Sequence, residues 1–221
     1  MIKAVVFDLD DTLYPEIDYV HSGFVAVANE VGKKFGIANS DTKLMRLFAE
    51  NTSNVFDRFA IMHGLDNKEV KNLIELYRDH VPDIVLSDEV KTTLTNLRQK
   101  GYKLGIITDG RPRGQHHKIA ALGLGNMVDN IIVTDELGIQ FRKPHAKAFS
   151  LMCDRFNIVP TQMIYVGDNP QKDFAVKSCL PIMTIHLQSE RLYGQKEYLN
   201  GILPDFTVHS IREVERIIEK Y

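Results

Sequence analysis

Asp8 and Asp10 stand two residues apart at the end of an apolar run over residues 3–9. On an extended backbone, side chains two apart point to the same side, so the two carboxylates can converge at the end of that run. Held about 4 Å apart, two such charges repel by roughly 4 kcal/mol at an effective dielectric of 20. Burying them together makes sense if a cation compensates the pair, or if one member keeps its proton. Asp11 adds a third acid to the same stretch. A single Asp here would read as a loop cap; three behind an apolar run point to chemistry.

Other apolar runs end in groups that suit the same site. Ile106-Ile107-Thr108-Asp109-Gly110 sets a hydroxyl before a glycine turn, where the Thr108 hydroxyl and the Asp109 N–H can be aimed at an anion. The same tripeptide is also a common turn. Val166-Gly167-Asp168-Asn169-Pro170 offers Asp168 as a hard oxygen ligand suited to Mg²⁺, or equally as a helix N-cap. Gly167 permits close approach, and Asp173 falls where it can orient its neighbours rather than ligate directly. Lys143, in Phe141-Arg142-Lys143-Pro144, supplies the cation that several carboxylates and an incoming dianion require. It is placed at the start of the helix that leaves the third strand.

The elements that must hold these groups follow from periodicity. Short runs at 3–9, 103–108, 130–134, 163–167 and 182–186 read as buried strands. Helices separate them: 88–100, with Ser87 as N-cap and Gly101 past its end; about 147–156; and 210–220. This alternation over residues 86–221 predicts an α/β domain with a parallel sheet covered on both faces. Residues 16–85 hold helical stripes only, closed at Gly36 and Gly64, with Asp66 and Glu69 spaced as a capping box. The expected organisation is a core of residues 1–15 and 86–221 carrying a small all-helical cap, residues 16–85, over the sheet's carboxyl edge. Ligands bind at that edge in open α/β sheets.

Taken in order, Asp8-Leu9-Asp10-Asp11-Thr12, Thr108, Lys143-Pro144 and Gly167-Asp168 with Asp173 resemble the four motifs of the haloacid dehalogenase-like phosphohydrolases. The resemblance runs through core and helical insert alike, and Thr134 to Pro144 is similar to the stretch preceding the lysine in the family's small-molecule phosphatases. It implies a Rossmannoid, three-layer sheet of strand order 5-4-1-2-3. It also implies that Asp8 is the nucleophile and Asp10 the general acid and base. Mg²⁺ would be held by Asp8, the backbone carbonyl of Asp10, and Asp168, with Thr108, the Asp109 N–H and Lys143 on the phosphoryl oxygens. Many members carry Gly where Asp11 stands, so Asp11 is expected to be exposed rather than catalytic.

The implied activity is Mg²⁺-dependent hydrolysis of a small phosphorylated metabolite, a sugar phosphate or nucleotide monophosphate, through an aspartyl phosphate. A phosphomutase or phosphotransferase needs the same core and is the alternative. Dehalogenases of the family lack an acid at the position of Asp10. A receiver domain or a non-catalytic phosphate-binding protein ranks below, because every catalytic position is filled by a competent residue. Specificity candidates are Tyr14, Arg58, Arg111 and Arg113. The last two belong to a basic cluster with His116, His117 and Lys118, which reads either as an anion-recognition patch or as a solvated helix start.

Composition bounds the rest. The 221 residues carry 27 Lys+Arg against 29 Asp+Glu, a net charge of −2, which argues against a nucleic-acid-binding face. No apolar stretch reaches the roughly 18 residues of a membrane helix, and no signal peptide is expected. Two cysteines, Cys153 and Cys179, neither staple a secreted fold nor suit a thiolate metal site, so a cytoplasmic setting is expected.

Overall fold

The structure is a computed structural model and describes residues 1–188 and 196–221. The chain divides into two compact units, residues 1–15 with 85–221, and residues 16–84.

The first unit is built on a six-stranded sheet: β1 (Ala4–Phe7), β2 (Lys103–Thr108), β3 (Asn130–Val133), β4 (Met163–Gly167), β5 (Met183–Leu187) and β6 (Phe206–Val208). All neighbours are parallel, in the order β3-β2-β1-β4-β5-β6. The first five strands thus have the expected order. The sixth, a three-residue strand on the β5 edge, is an addition that the sequence pattern did not reveal. β1 lies at the centre and is buried along its whole length, which is why it reads as an unbroken apolar run rather than an alternating one. Val6, Ile107, Ile132, Tyr165, Phe149 and Met152 form a core cluster on one side of the sheet. The last two belong to α7 (Lys147–Phe156).

The remaining helices of this unit are α5 (Asp88–Gln99), α6 (Pro112–Ala121) and α8 (Arg212–Ile218). Ser87 caps α5 as expected, its hydroxyl accepting from the Val90 N–H at 3.3 Å. On the far side, Asn96 and Lys100 meet Glu215 of α8, Lys100 at 3.2 Å.

The second unit is helical throughout: α1 (Glu16–Phe35), α2 (Ser40–Glu50), α3 (Val55–His63) and α4 (Asn67–Asp79). Its core is Val20, Phe24, Val27 and Val31 of α1 against Leu44, Leu47, Phe59 and Leu73. These are the stripes expected from three- and four-residue spacing. Asp66 caps α4 by accepting from the Glu69 N–H at 2.9 Å, and Gly64 ends α3 in the left-handed region at φ 66°. The unit ends at Ile84, one residue short of the expected boundary. Among the described residues, no helix is long and apolar enough to cross a membrane.

Candidate active site

The carboxyl ends of β1, β2 and β4 bring the motif residues together. Asp8 directly follows β1, and its N–H still donates to the Val166 carbonyl at 2.8 Å, so the sheet fixes its backbone. After Leu9 the chain turns sharply, with the Leu13 N–H donating to the Leu9 carbonyl at 3.0 Å. Asp11 takes the left-handed conformation at φ 54°, a region in which glycine carries no penalty. The expectation that Asp11 is exposed is corrected: it is 7% exposed, and its charge is felt by Asp168. The left-handed turn at Asp11 brings its carboxylate in beside Asp168 rather than out to solvent.

Lys143 is buried and completes the centre. Its Nζ lies 2.7 Å from Asp8 Oδ1 and 2.8 Å from Asp173 Oδ1, and donates to the Tyr165 hydroxyl at 2.9 Å. Burial opposes its charge, but Asp173 and Asp8 outweigh it and hold the ammonium well above its ordinary range. Lys143 does not begin the following helix as expected; α7 starts at Lys147. Instead Lys143 sits in a loop fixed by Asp109, whose Oδ1 accepts from the Lys143 N–H at 3.1 Å and from the Thr134 hydroxyl at 2.7 Å. Arg142 braces the same loop by a forked pair to Asp135, both contacts at 2.7 Å.

Asp8, Asp168 and Asp173 are buried and offer oxygens within 4.8 Å of one another. Asp173 is already engaged by Lys143 and by the Asn169 N–H at 2.8 Å. It owes its position to Gly167, where a Cβ would stand 2.5 Å from Asp173 Oδ2. Asp168 differs: among the described residues its carboxylate accepts one long hydrogen bond, 3.5 Å from the Thr12 hydroxyl. Burial, then the charges of Asp173, Asp8 and Asp11, push its carboxyl up to about 8. Asp8 is raised to about 6, chiefly by burial, with Lys143 opposing. A buried, acid-rich donor set of hard oxygens with an under-satisfied member fits Mg²⁺.

Asp10 is treated differently. Its carboxylate is not in that trio but pairs with Lys118, Nζ to Oδ1 at 2.7 Å. It also accepts from the Tyr14 hydroxyl on Oδ1 and from Gln115 Nε2 on Oδ2, the latter at 3.0 Å. Burial alone would raise the carboxyl, but Lys118 and these bonds bring it below the usual range. Thr108, 1% exposed, is bonded by the same Gln115 amide at 2.6 Å.

The specificity candidates separate. The basic cluster splits along α6: Arg111, Arg113 and His116 are exposed, while Lys118 is buried against Asp10. Tyr14 is buried and serves Asp10. Arg58, in the helical unit, spends its guanidinium on the Leu47 carbonyl, at 2.6 Å, and on that of Asn51. Lys172 was not foreseen; it stands 3.8 Å from Asp109 Oδ2. Gln115 was likewise missed. Beside the acid turn, a cleft of about 500 Å³ is lined by Asp11, Tyr14, Glu89, Gln188 and His209.

Residues 5–177 match the family model of haloacid dehalogenase-like hydrolases. The chain belongs to this family. Among curated relatives, the glyceraldehyde 3-phosphate phosphatase of Methanopyrus kandleri is 25% identical, over 100% of this chain and 98% of its own length. That of Pyrococcus abyssi is 32% identical over 78% and 76%. Among solved structures, the HAD-hydrolase YfnB of Bacillus subtilis, bound to magnesium, superposes with a TM-score of 0.67 at 19% identity, over 98% of each chain. At that identity the likeness speaks for the haloacid dehalogenase-like fold alone.

Proposed function

We propose that this hydrolase is a Mg²⁺-dependent phosphatase that cleaves a small phosphorylated metabolite, a sugar phosphate or nucleotide monophosphate, through an aspartyl phosphate on Asp8. The observation that carries the reading is the sorting of two neighbouring acids. Asp8 lies with Lys143 in an acid-rich nest short of positive charge. Asp10, two residues on, is held apart by Lys118. One fold thereby gives two carboxylates different partners; Lys118 favours the ionised form of Asp10 in the free protein, so the acid step needs a proton that arrives with the substrate.

Asp8 and Asp168, with the backbone carbonyl of Asp10, would hold Mg²⁺, which when bound neutralises the nest and polarises the phosphoryl group. An Asp8 oxygen attacks phosphorus while the bond to the ester oxygen breaks, and the leaving oxygen takes the proton carried by Asp10. Water then attacks the aspartyl phosphate, giving its proton back to Asp10 and releasing inorganic phosphate and free Asp8. Lys143, Thr108 and the Asp109 N–H hold the phosphoryl oxygens as charge spreads in each transition state. Asp173 orients Lys143. Residues 16–84 act as the cap that selects the leaving group and excludes bulk water.

The names of the relatives put three-carbon sugar phosphates first among substrates to try. Phosphate release from a metabolite set, with Mg²⁺ and with chelator, tests the reading. Asp8→Asn should abolish turnover while the protein remains folded. Turnover at the normal rate by that variant would remove Asp8 as nucleophile.

A further inference from the structure

We propose that Gln115 and Lys118, on one face of α6, are positioning residues that aim the Asp10 carboxyl group at the leaving oxygen. This rests on the phosphatase reading above and extends it to residues outside the family-like motifs. The geometry is specific. Lys118 Nζ fixes Oδ1 of Asp10 at 2.7 Å, and Gln115 Nε2 fixes Oδ2 at 3.0 Å. Each carboxyl oxygen is therefore held from α6, and the plane of the group cannot turn without breaking one bond. The same Gln115 amide reaches Thr108 Oγ1 at 2.6 Å. It therefore sets the distance between the group that donates to the leaving oxygen and the group that grips the phosphoryl. Both side chains are buried, Gln115 at 4% and Lys118 at 5% exposure, so water does not substitute for either.

The chain makes room for this clamp. Gly110 sits at φ 136°, and a Cβ there would stand 3.2 Å from the Gln115 carboxamide carbon. A side chain at 110 would press Gln115 away from Asp10. Gln115 and Lys118 lie three apart, which sets them on one helix face. Tyr14 closes the third side by donating its hydroxyl to Oδ1.

A group that only aims the acid matters in proportion to how badly the leaving oxygen needs a proton. An alkoxide leaves with one; p-nitrophenolate is a stable anion and leaves without. The test compares glycerol 3-phosphate with p-nitrophenyl phosphate in wild type, Lys118→Met and Gln115→Leu, with Mg²⁺ present. The ratio of kcat/KM on the alkyl ester to kcat/KM on the nitrophenyl ester reports the first step alone, since both esters share the aspartyl phosphate. It should fall by about 100-fold in each variant, the lower end of what a positioned acid contributes. Remaining nitrophenyl phosphatase activity reports that the protein is folded. Gln115→Leu, close to isosteric and uncharged like the original, carries the test if Lys118→Met does not fold. Equal losses of kcat/KM on both esters, or no loss on either, overturn the positioning role while leaving the phosphatase reading intact. Where the metabolite set holds a better alkyl phosphate, it replaces glycerol 3-phosphate in the ratio; release of phosphate from no ester at all overturns the phosphatase reading and the positioning role with it.

Discussion

Without a divalent ion, the nest of acids should make the protein less stable as the pH rises. Asp8, Asp168 and Asp173 offer oxygens within 4.8 Å, a separation at which two unit charges repel by about 3.5 kcal/mol at an effective dielectric of 20. An ionised Asp168 faces two such neighbours, and the Lys143 ammonium is already shared between them, at 2.7 and 2.8 Å. Its carboxyl is accordingly raised to about 8 by burial and by these charges. An unfolded Asp titrates near 3.9, so between about pH 4 and 8 the folded state holds a proton the unfolded state has lost. That proton's stabilising contribution is complete below pH 4 and is lost as the pH climbs through about 8, at up to about 1.4 kcal/mol per unit. Asp8, raised to about 6, adds to the fall in its lower half. Asp10 and Asp173 are lowered, so their contributions change below pH 4 and leave this window alone. Urea denaturation in chelator at pH 6, 7, 8 and 8.5 should show stability falling by a few kcal/mol. Mg²⁺ should add more stability at the higher pH, because it binds the deprotonated acids. Asp168→Asn should flatten the slope above pH 6 and, in chelator at pH 8.5, be more stable than wild type by about 2 kcal/mol, less than one full repulsion because Lys143 offsets part of it. A metal-free protein whose stability is level or rises over this range would refute the electrostatic account. So would an Asn variant weaker than wild type at pH 8.5.

Three further outcomes test the scaffold. Gly167→Ala places a Cβ 2.5 Å from Asp173 Oδ2; it should cost about 1–3 kcal/mol by overpacking and lower kcat by displacing the partner of Lys143. A fully active, equally stable variant would show that Asp173 need not be where it is. Arg58→Ala frees the carbonyls of Leu47 and Asn51 and should lower the thermal stability of the helical unit while leaving the ranking of substrates unchanged; an altered ranking at unchanged stability would return Arg58 to the specificity residues. Ser87→Ala removes the cap bonded to the Val90 N–H and should cost about 1 kcal/mol in urea denaturation, with no change in KM.

The central strands and the main helices were legible because the forces that fix them are local. β1 and β4 are buried on both faces, so their apolar runs are unbroken, and α4 and α5 announce their starts with Asp66 and Ser87. β6 was not legible. Phe206-Thr207-Val208 is too short to show a period, and it exists by pairing with β5 at the sheet edge, a contact that no local pattern encodes. Lys143 was placed at a helix start because the tripeptide around it gives no sign of the loop that Asp109 and the Arg142–Asp135 fork hold in shape.

Lys118 shows more sharply where sequence reading stops. In the chain it belongs to a run of basic residues, and a charged run most often lies in solvent. In the fold its ammonium is placed against Asp10, 108 residues away. There Gln115, Lys118, Ile119 and Leu122 recur at three- and four-residue spacing and are all buried. Two polar side chains on an otherwise apolar helical stripe must find partners, since an unpaired buried ammonium costs several kcal/mol. Once its burial is known, Lys118 requires an acid opposite it, but the chain does not say which. Lys143 poses the same problem with Asp8, and the composition offers 29 acids to choose from. The sheet fixes the backbone of Asp8 beside β4, where Lys143 meets it, and the turn after Leu9 carries Asp10 to Lys118 of α6. Exchange of the two ammoniums' partners would leave the list of residues unchanged and give each acid the other's environment. The different environments of Asp8 and Asp10 are thus a property of the strand end and the turn that follows it, which is why motifs alone name the two acids and the fold has to tell them apart.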